Sequence, residues 1–249
     1  MVFQNNLLMG AGGQPTGYEI DQSCRFDSDT PAYLARTFGT PTSDKIWTLS
    51  MWVKICRRDS GNLSIFFGAG DWDTDYTAFY VDPDLKWDDR DHSGAAWKTQ
   101  FRTNAVYRDP SAWYHIVWSY DSTPSTPSAS SIKMFVNGEQ LTSFSSETYP
   151  SQNTASVINT AVANWIGGVP TNGATYYFDG YMAEVVFVDG TALDADSFGE
   201  TNSTTGQWIP KAIAGLTFGN NGFHLDFADS SALGNDVSGN DNDFTPSGL

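Results

Sequence analysis

Eight aspartates crowd one short stretch, GDWDTDYTAFYVDPDLKWDDRD, in which Asp71, Asp73, Asp75, Asp82, Asp84, Asp88, Asp89 and Asp91 are interleaved with Trp72, Tyr76 and Trp87. Carboxylate oxygens are the hard ligands that calcium takes. In an extended segment Asp71, Asp73 and Asp75 share one face, where three carboxylates repel one another unless water or a bridging cation screens them. Two readings stay open: a solvated acidic loop, or a calcium site made by Asp71, Asp73 and Asp75. A helix-loop-helix calcium loop is excluded, because counting from Asp71 places Tyr76 where the turn glycine belongs and Asp82 where the closing glutamate belongs. The sequence requires no cofactor, and calcium is the one left open.

The same stretch also suits a sugar, since carbohydrate sites combine an aromatic face with polar groups that fix ring orientation. Trp72, Tyr76 and Trp87 would stack on the sugar, and Asp73 or Asp88 would accept its hydroxyl hydrogen bonds. The alternative is that these aromatics fill a protein core, the usual fate of indole rings. Catalytic patterns are lacking. His92, His115 and His224 are widely separated, with no metal-ligand spacing. His115 reads as a strand residue with a satisfied hydrogen bond. There is no Gly-x-Ser-x-Gly elbow and no Gly-Lys-Ser phosphate loop, and MGAGG near the start lacks the strand and helix a dinucleotide site needs, so it reads as a flexible arm. No catalytic residue is expected.

The elements that must position these residues are strands. IWTLSMWVKI places Trp47, Leu49, Met51 and Val53 on one face and Thr48, Ser50 and Lys54 on the other, with Trp52 breaking the polar face. WYHIVWSY is aromatic and β-branched. IKMFV alternates and runs into Asn137-Gly138, whose residues accept the positive φ of a tight hairpin. Between these two strands, residues 121–131 form a Pro- and Ser-rich surface loop. Further strands are expected at SCRFD, AYLART, LSIFFG, YTAFYV, AWKTQF, ANWIGG, ATYYFDGYMAEVVFVDG and GFHLDF, and one short helix at DADSFGE, capped by Asp194 or Asp196 and ended by Gly199. Many strands separated by Gly, Pro, Asn and Asp turns predict an all-β antiparallel two-sheet sandwich or jelly roll.

With 249 residues and 40% hydrophobic content, one main domain is expected. A net charge of -16 repels phosphate backbones and anionic lipid, so neither nucleic acid nor membrane is an expected partner. The N-terminus has no basic and apolar pattern of a secretory signal, and no apolar run reaches a membrane span, so a soluble chain is expected. Cys24 and Cys56 are expected to be buried thiols rather than a bridge.

The ordered segments WYHIVWSYD, IKMFVNGEQL, WIGG and FDGYMAEVVFVDGTAL resemble the laminin-G-like branch of the concanavalin A-like lectin/glucanase superfamily over residues 23 to 200. The resemblance implies an antiparallel jelly roll. Glucanases of that superfamily carry paired carboxylates on one strand; here Glu184 meets no second carboxylate until Asp189, and an odd separation turns the two to opposite faces. The flanks LLMGAGG, GYEIDQSCRF, FGETNSTTGQWIPKA and GFHLDFADSSALGNDVSGNDNDF are similar to segments of virion proteins of tailed bacteriophages, particularly marine ones. That likeness implies a non-enzymatic fibre, spike or decoration protein located on the virion, with other virion proteins as partners and weak multivalent contact with cell-surface glycan; a dedicated receptor-binding lectin is the alternative. The expected division is an N-terminal arm at 1–22, a jelly roll at 23–212 and a C-terminal extension at 213–249. The extension, whose Phe223, Leu225 and Phe227 share a face, covers an edge of its own sandwich or pairs with a neighbouring subunit in a homo-oligomer. The cluster NDVSGNDND, from Asp236 to Asp243 around Gly239, is explained by its turn-forming residues.

Overall fold

A computed structural model describes residues 17–57, 63–91, 96–170 and 176–249. The first half of the chain forms β1 (Cys24–Phe26), β2 (Tyr33–Thr37), β3 (Ile46–Ile55), β4 (Ser64–Gly70), β5 (Tyr76–Val81), β6 (Asp84–Asp91), β7 (Ala96–Val106) and β8 (Tyr114–Asp121). The second half adds β9 (Ile132–Val136), β10 (Glu139–Gln140), β11 (Phe144–Thr148), β12 (Ala163–Ile166), β13 (Gly180–Asp189), β14 (Gly199–Thr201), β15 (Trp208–Pro210), β16 (Phe223–Leu225) and β17 (Thr245–Ser247). One sheet has seven strands in the order β1-β13-β3-β8-β9-β10, with β16 also on β13. The other has eight in the order β11-β7-β6-β5-β4-β12-β2-β17, and β14 and β15 form a separate ribbon. The pairings are antiparallel, and the two sheets enclose an aromatic core in an all-β jelly-roll sandwich.

Strand alternation builds that core. Trp47, Leu49, Met51 and Val53 of β3 are all fully buried, and Trp47 meets Trp87 and Phe79 from the opposite sheet at ring separations of 5.5 and 5.8 Å. Thr48 and Ser50, expected on a polar face, are buried as well. The reason is that the segment from Leu193 to Phe218 lies across the outer face of the seven-stranded sheet, packing on Val117, Phe135, Val186 and Val188. The Thr48 hydroxyl is satisfied there, donating to the Thr191 carbonyl at 2.8 Å and accepting from the Leu193 N–H at 2.8 Å. His115 is held under the same cover: the Trp208 indole N–H donates to its Nδ1 at 3.0 Å, which leaves the ring proton on Nε2 facing Ser50 Oγ at 2.9 Å. Asn137 and Gly138 turn the β9–β10 hairpin with φ of 51° and 84°. The missing Cβ of Gly138 is also needed by Trp208, whose ring would lie 2.4 Å from it.

Several expectations need correction. The acidic run from Asp84 to Asp91 is strand β6 rather than a loop, because Leu85, Trp87 and Asp89 point inward at every second position. The short helix is a single 3-10 turn, Ala195–Ser197, and Gly199 opens a strand instead of ending a helix. Cys24 is a buried free thiol as expected, but Cys56 lies past the end of β3 and is exposed. Of the two placements expected for the extension at 213–249, the one on its own sandwich is seen: β16 pairs with β13, β17 pairs with β2, and Phe223, Leu225, Phe227 and Phe244 are core residues. Of the N-terminal arm, residues 1–16 lie outside the described residues, as does His92.

Candidate functional site

The turn from β4 to β5 is built by its own aspartates. Gly70 takes φ of 81°, the Asp71 N–H donates to the Asp75 carbonyl at 3.0 Å, and the Asp73 N–H donates to Asp71 Oδ1 at 2.9 Å. One Asp71 oxygen therefore stabilises the turn, and Asp71, Asp73 and Asp75 do not follow the extended path that would align them. Among the described residues no three carboxylate, imidazole or thiol groups are gathered so as to hold a metal ion.

Next to that turn, the outer face of the eight-stranded sheet carries the aromatic residues. Trp72 stacks on Tyr76 at 4.3 Å and approaches Tyr176 at 5.2 Å. Tyr76, Ala78 and Tyr80 alternate outward along β5, where they form a second apolar cluster with Ile65 and Val169 that Trp97 borders. Trp87 does not join them. It points the other way, fully buried between Trp47, Phe79 and Phe101 at 5.5 to 5.6 Å, so the expectation that it stacks on a sugar is corrected. Asp73 is exposed on the turn.

Asp88 does lie on the outer face, almost wholly buried. Its Oδ1 accepts from Arg102 Nη1 at 2.6 Å, and its Oδ2 accepts from Arg102 Nη2 at 3.0 Å and from the Tyr80 hydroxyl at 2.7 Å. A carboxylate offers about four lone-pair positions, so little of Asp88 is left for a ligand. Its role is to fix Arg102 and Tyr80. Burial and the Asp88 charge together push the Tyr80 hydroxyl well above its ordinary range, keeping it a donor. Arg102 lies over Tyr80 and Trp97 at 5.7 and 5.9 Å, and Arg90 lies over Trp97 at 4.8 Å. Two guanidinium groups thus meet one indole that stays partly exposed. The alternation of Tyr76 and Tyr80 is legible in the sequence. Trp97, Arg90 and Arg102 are not, because only the register of β6 against β7 brings Arg90 opposite Trp97 and Asp88 opposite Gln100.

The carboxylates of β13 are engaged elsewhere. Glu184 sits in a bulge with φ of 48°, at the gap where β1 ends and β16 begins along the edge of β13. Its Oε1 accepts from the Tyr18 hydroxyl at 2.8 Å, and its Oε2 pairs with His224 Nε2. Asp189 is buried and accepts four hydrogen bonds, from the N–H groups of Thr42, Ser43 and Asn221 and from Asn159 Nδ2, at 2.7 to 3.1 Å. The two carboxylates are engaged by separate sets of partners. Asp236 and Asn242 are likewise spent on their own loop, which they tie to His224, Asn220 and Gly222.

The fold is a lectin-like β-sandwich. A family profile described as Concanavalin A-like lectin/glucanases superfamily matches residues 27–197, and the chain belongs to that superfamily. No curated protein sequence matches it. Among solved structures it is similar to a candidate carbohydrate binding protein from Bacteroides ovatus, at 15% identity and a TM-score of 0.53, covering 91% of this chain and 59% of that one. It is also similar to domains LG4-5 of the mouse laminin alpha1 chain (14% identity, TM-score 0.49, 79% of this chain and 48% of that one). A third likeness is to the CBM40 of Ruminococcus gnavus IT-sialidase (15% identity, TM-score 0.45, 70% of this chain and 95% of that one). The chain spans about half of the laminin structure's length, and at these identities the likeness is one of fold.

Proposed function

We propose that the chain is a non-enzymatic glycan-recognition domain that binds through the outer face of its eight-stranded sheet, displayed in many copies on a phage virion. The observation that carries the glycan reading is Trp97 with Arg90 and Arg102 beside it, next to the Trp72–Tyr76 stack. The partly exposed Trp97 indole supplies apolar area for a sugar ring, and the guanidinium groups supply donors in fixed directions. The Asp88–Tyr80 pair holds Arg102 in place before any ligand arrives, which lowers the ordering cost of binding. The non-enzymatic reading is supported by Glu184 and Asp189, whose oxygens are engaged by separate sets of partners. The virion setting rests on the likeness of the flanking segments to tailed-phage virion proteins, and weak single-site affinity fits that setting, because multivalency adds avidity. A glycan array probed with the protein displayed on a multivalent carrier tests the reading: selective signal from the wild type, lost in Trp97→Ala, is expected. Mass spectrometry of purified particles tests the setting, and absence of the chain from particles would remove it.

A further inference from the structure

The outer face of the seven-stranded sheet is covered over only part of its length. The segment from Leu193 to Phe218 packs on Val117, Phe135, Val186 and Val188, and its Trp208 indole bonds His115 at 3.0 Å. Trp52 and Tyr181, on the same face, take no part in that packing. Trp52 stacks on His115 at 4.8 Å and lies between His115 and Ala183, its register partners on β8 and β13. One row further along, Arg25 of β1, Tyr181 of β13 and Lys54 of β3 stand side by side, with Arg25 over the Tyr181 ring at 5.5 Å. Trp52, Lys54 and Tyr181 are half-buried and Arg25 is exposed. Trp, Tyr and Arg gathered at a surface are the residues that contribute most where two protein surfaces meet.

The chain reaches this face at its first described residues. The Tyr18 hydroxyl donates to Glu184 Oε1 at 2.8 Å, and Gly17 is so near Ile209, the neighbour of Trp208, that a Cβ there would stand 3.2 Å from Ile209 Cδ1. What precedes Gly17 therefore starts beside the series Trp208, His115, Trp52. Residues 1–9, MVFQNNLLM, carry six apolar side chains and no charged one, and residues 10–16, GAGGQPT, include three glycines. A Gly-rich spacer of that length spans about 15 Å, roughly three strand spacings. We infer that residues 1–9 dock on the uncovered part of this face, over Trp52 and Tyr181, in the same chain that carries them. So short a tether gives an effective concentration of about a millimolar, above that of a second copy in dilute solution, and this selects the chain's own sheet. An uncharged segment also leaves Arg25 with Asp179, its partner at 2.9 Å. Docking closes the outer face of the seven-stranded sheet and leaves the opposite face open. The inference is independent of the glycan reading, which concerns the other sheet.

The test compares the full chain, by NMR with labelled Leu and Met methyl groups, with a chain lacking residues 1–9 and with the double variant Leu7→Asp, Leu8→Asp. Both changes lie outside the sandwich, so its folding is not at stake. In the full chain, nuclear Overhauser contacts are expected from the Leu7, Leu8 or Met9 methyl groups to the Trp52 or Tyr181 rings. The Trp52 indole N–H resonance should move to a common position in both variants while that of Trp97 stays in place. In Trp52→Ala, confirmed as folded by circular dichroism, the methyl resonances of Leu7, Leu8 and Met9 should move; if that variant does not fold, the two segment variants decide. The inference is overturned if neither segment variant moves the Trp52 resonance, if the methyl contacts fall on Trp97 instead, or if in a mixture of differently labelled chains the contacts join one copy to another, which makes a second copy the occupant.

Discussion

Asp89→Asn should stabilise the protein at neutral pH, and the size of the effect can be worked from its surroundings. Asp89 points between the sheets from β6, and burial pushes its carboxyl up from an ordinary 3.8 to about 6. The hydrogen bond from Ser156, the charge of Lys98, the Val157 N–H and the Thr77 hydroxyl pull the other way without cancelling that effect. A folded-state value above the unfolded one means that the native state binds the proton more tightly, so this group's contribution falls as pH rises from about 4 and is fully lost above about 6. At ~1.4 kcal/mol for each pH unit of displacement, the penalty at pH 7 to 8 is about 3 kcal/mol. His115 acts oppositely. Burial lowers its imidazole from 6.5 to about 3, so stability is lost as pH falls below 6.5. In the wild type the two slopes offset each other between pH 4 and 6, whereas the difference between variant and wild type isolates Asp89. Urea unfolding from pH 4 to 8 should show Asp89→Asn more stable by up to about 3 kcal/mol at pH 8 and equal near pH 4. A variant less stable than the wild type at pH 8, or a difference independent of pH, would refute the claim that the buried carboxylate is strained by its charge.

Three further outcomes are expected. Deleting residues 213–249 removes Phe223, Leu225, Phe227 and Phe244 from the core; at ~1.5–3 kcal/mol each the loss rivals a whole domain's stability, so near-ultraviolet circular dichroism should show no folded protein. A folded, stable truncated monomer would instead make the segment an assembly arm. Millimolar calcium should leave the melting temperature unchanged, since Asp71 is already committed to its turn; a rise of several degrees that Asp73→Ala abolishes would restore a calcium site. The wild type should release no reducing ends from laminarin, agarose or alginate, and release that Glu184→Gln abolishes would contradict the occupied state of that carboxylate.

Much of the sandwich is legible in the sequence because strand alternation and turn chemistry are local: Trp47 to Val53 and the Asn137-Gly138 hairpin behave as their residue types dictate. Strand β6 was obscured by its aspartates. Asp88 and Asp89 look like solvated loop residues until Arg102 and Ser156, 14 and 67 positions away, are seen to bond them. The same non-locality hides the site, since Trp87 and Trp97 are equivalent indoles in the sequence and only sheet register turns one inward and the other outward. The extension from 213 to 249 has a loop's composition, yet its few phenylalanines close two sheet edges of the domain that precedes it.

The outer face of the eight-stranded sheet is proposed to recognise glycan through Trp97 and its two arginines. The most direct measurement is calorimetric titration of the best glycan from the array into the wild type and Trp97→Ala, with circular dichroism to confirm that both are folded. Loss of one stacking face, worth ~1.4 kcal/mol or more, predicts at least a tenfold weaker Kd for the variant. Equal affinity in a folded Trp97→Ala would contradict glycan recognition at this face.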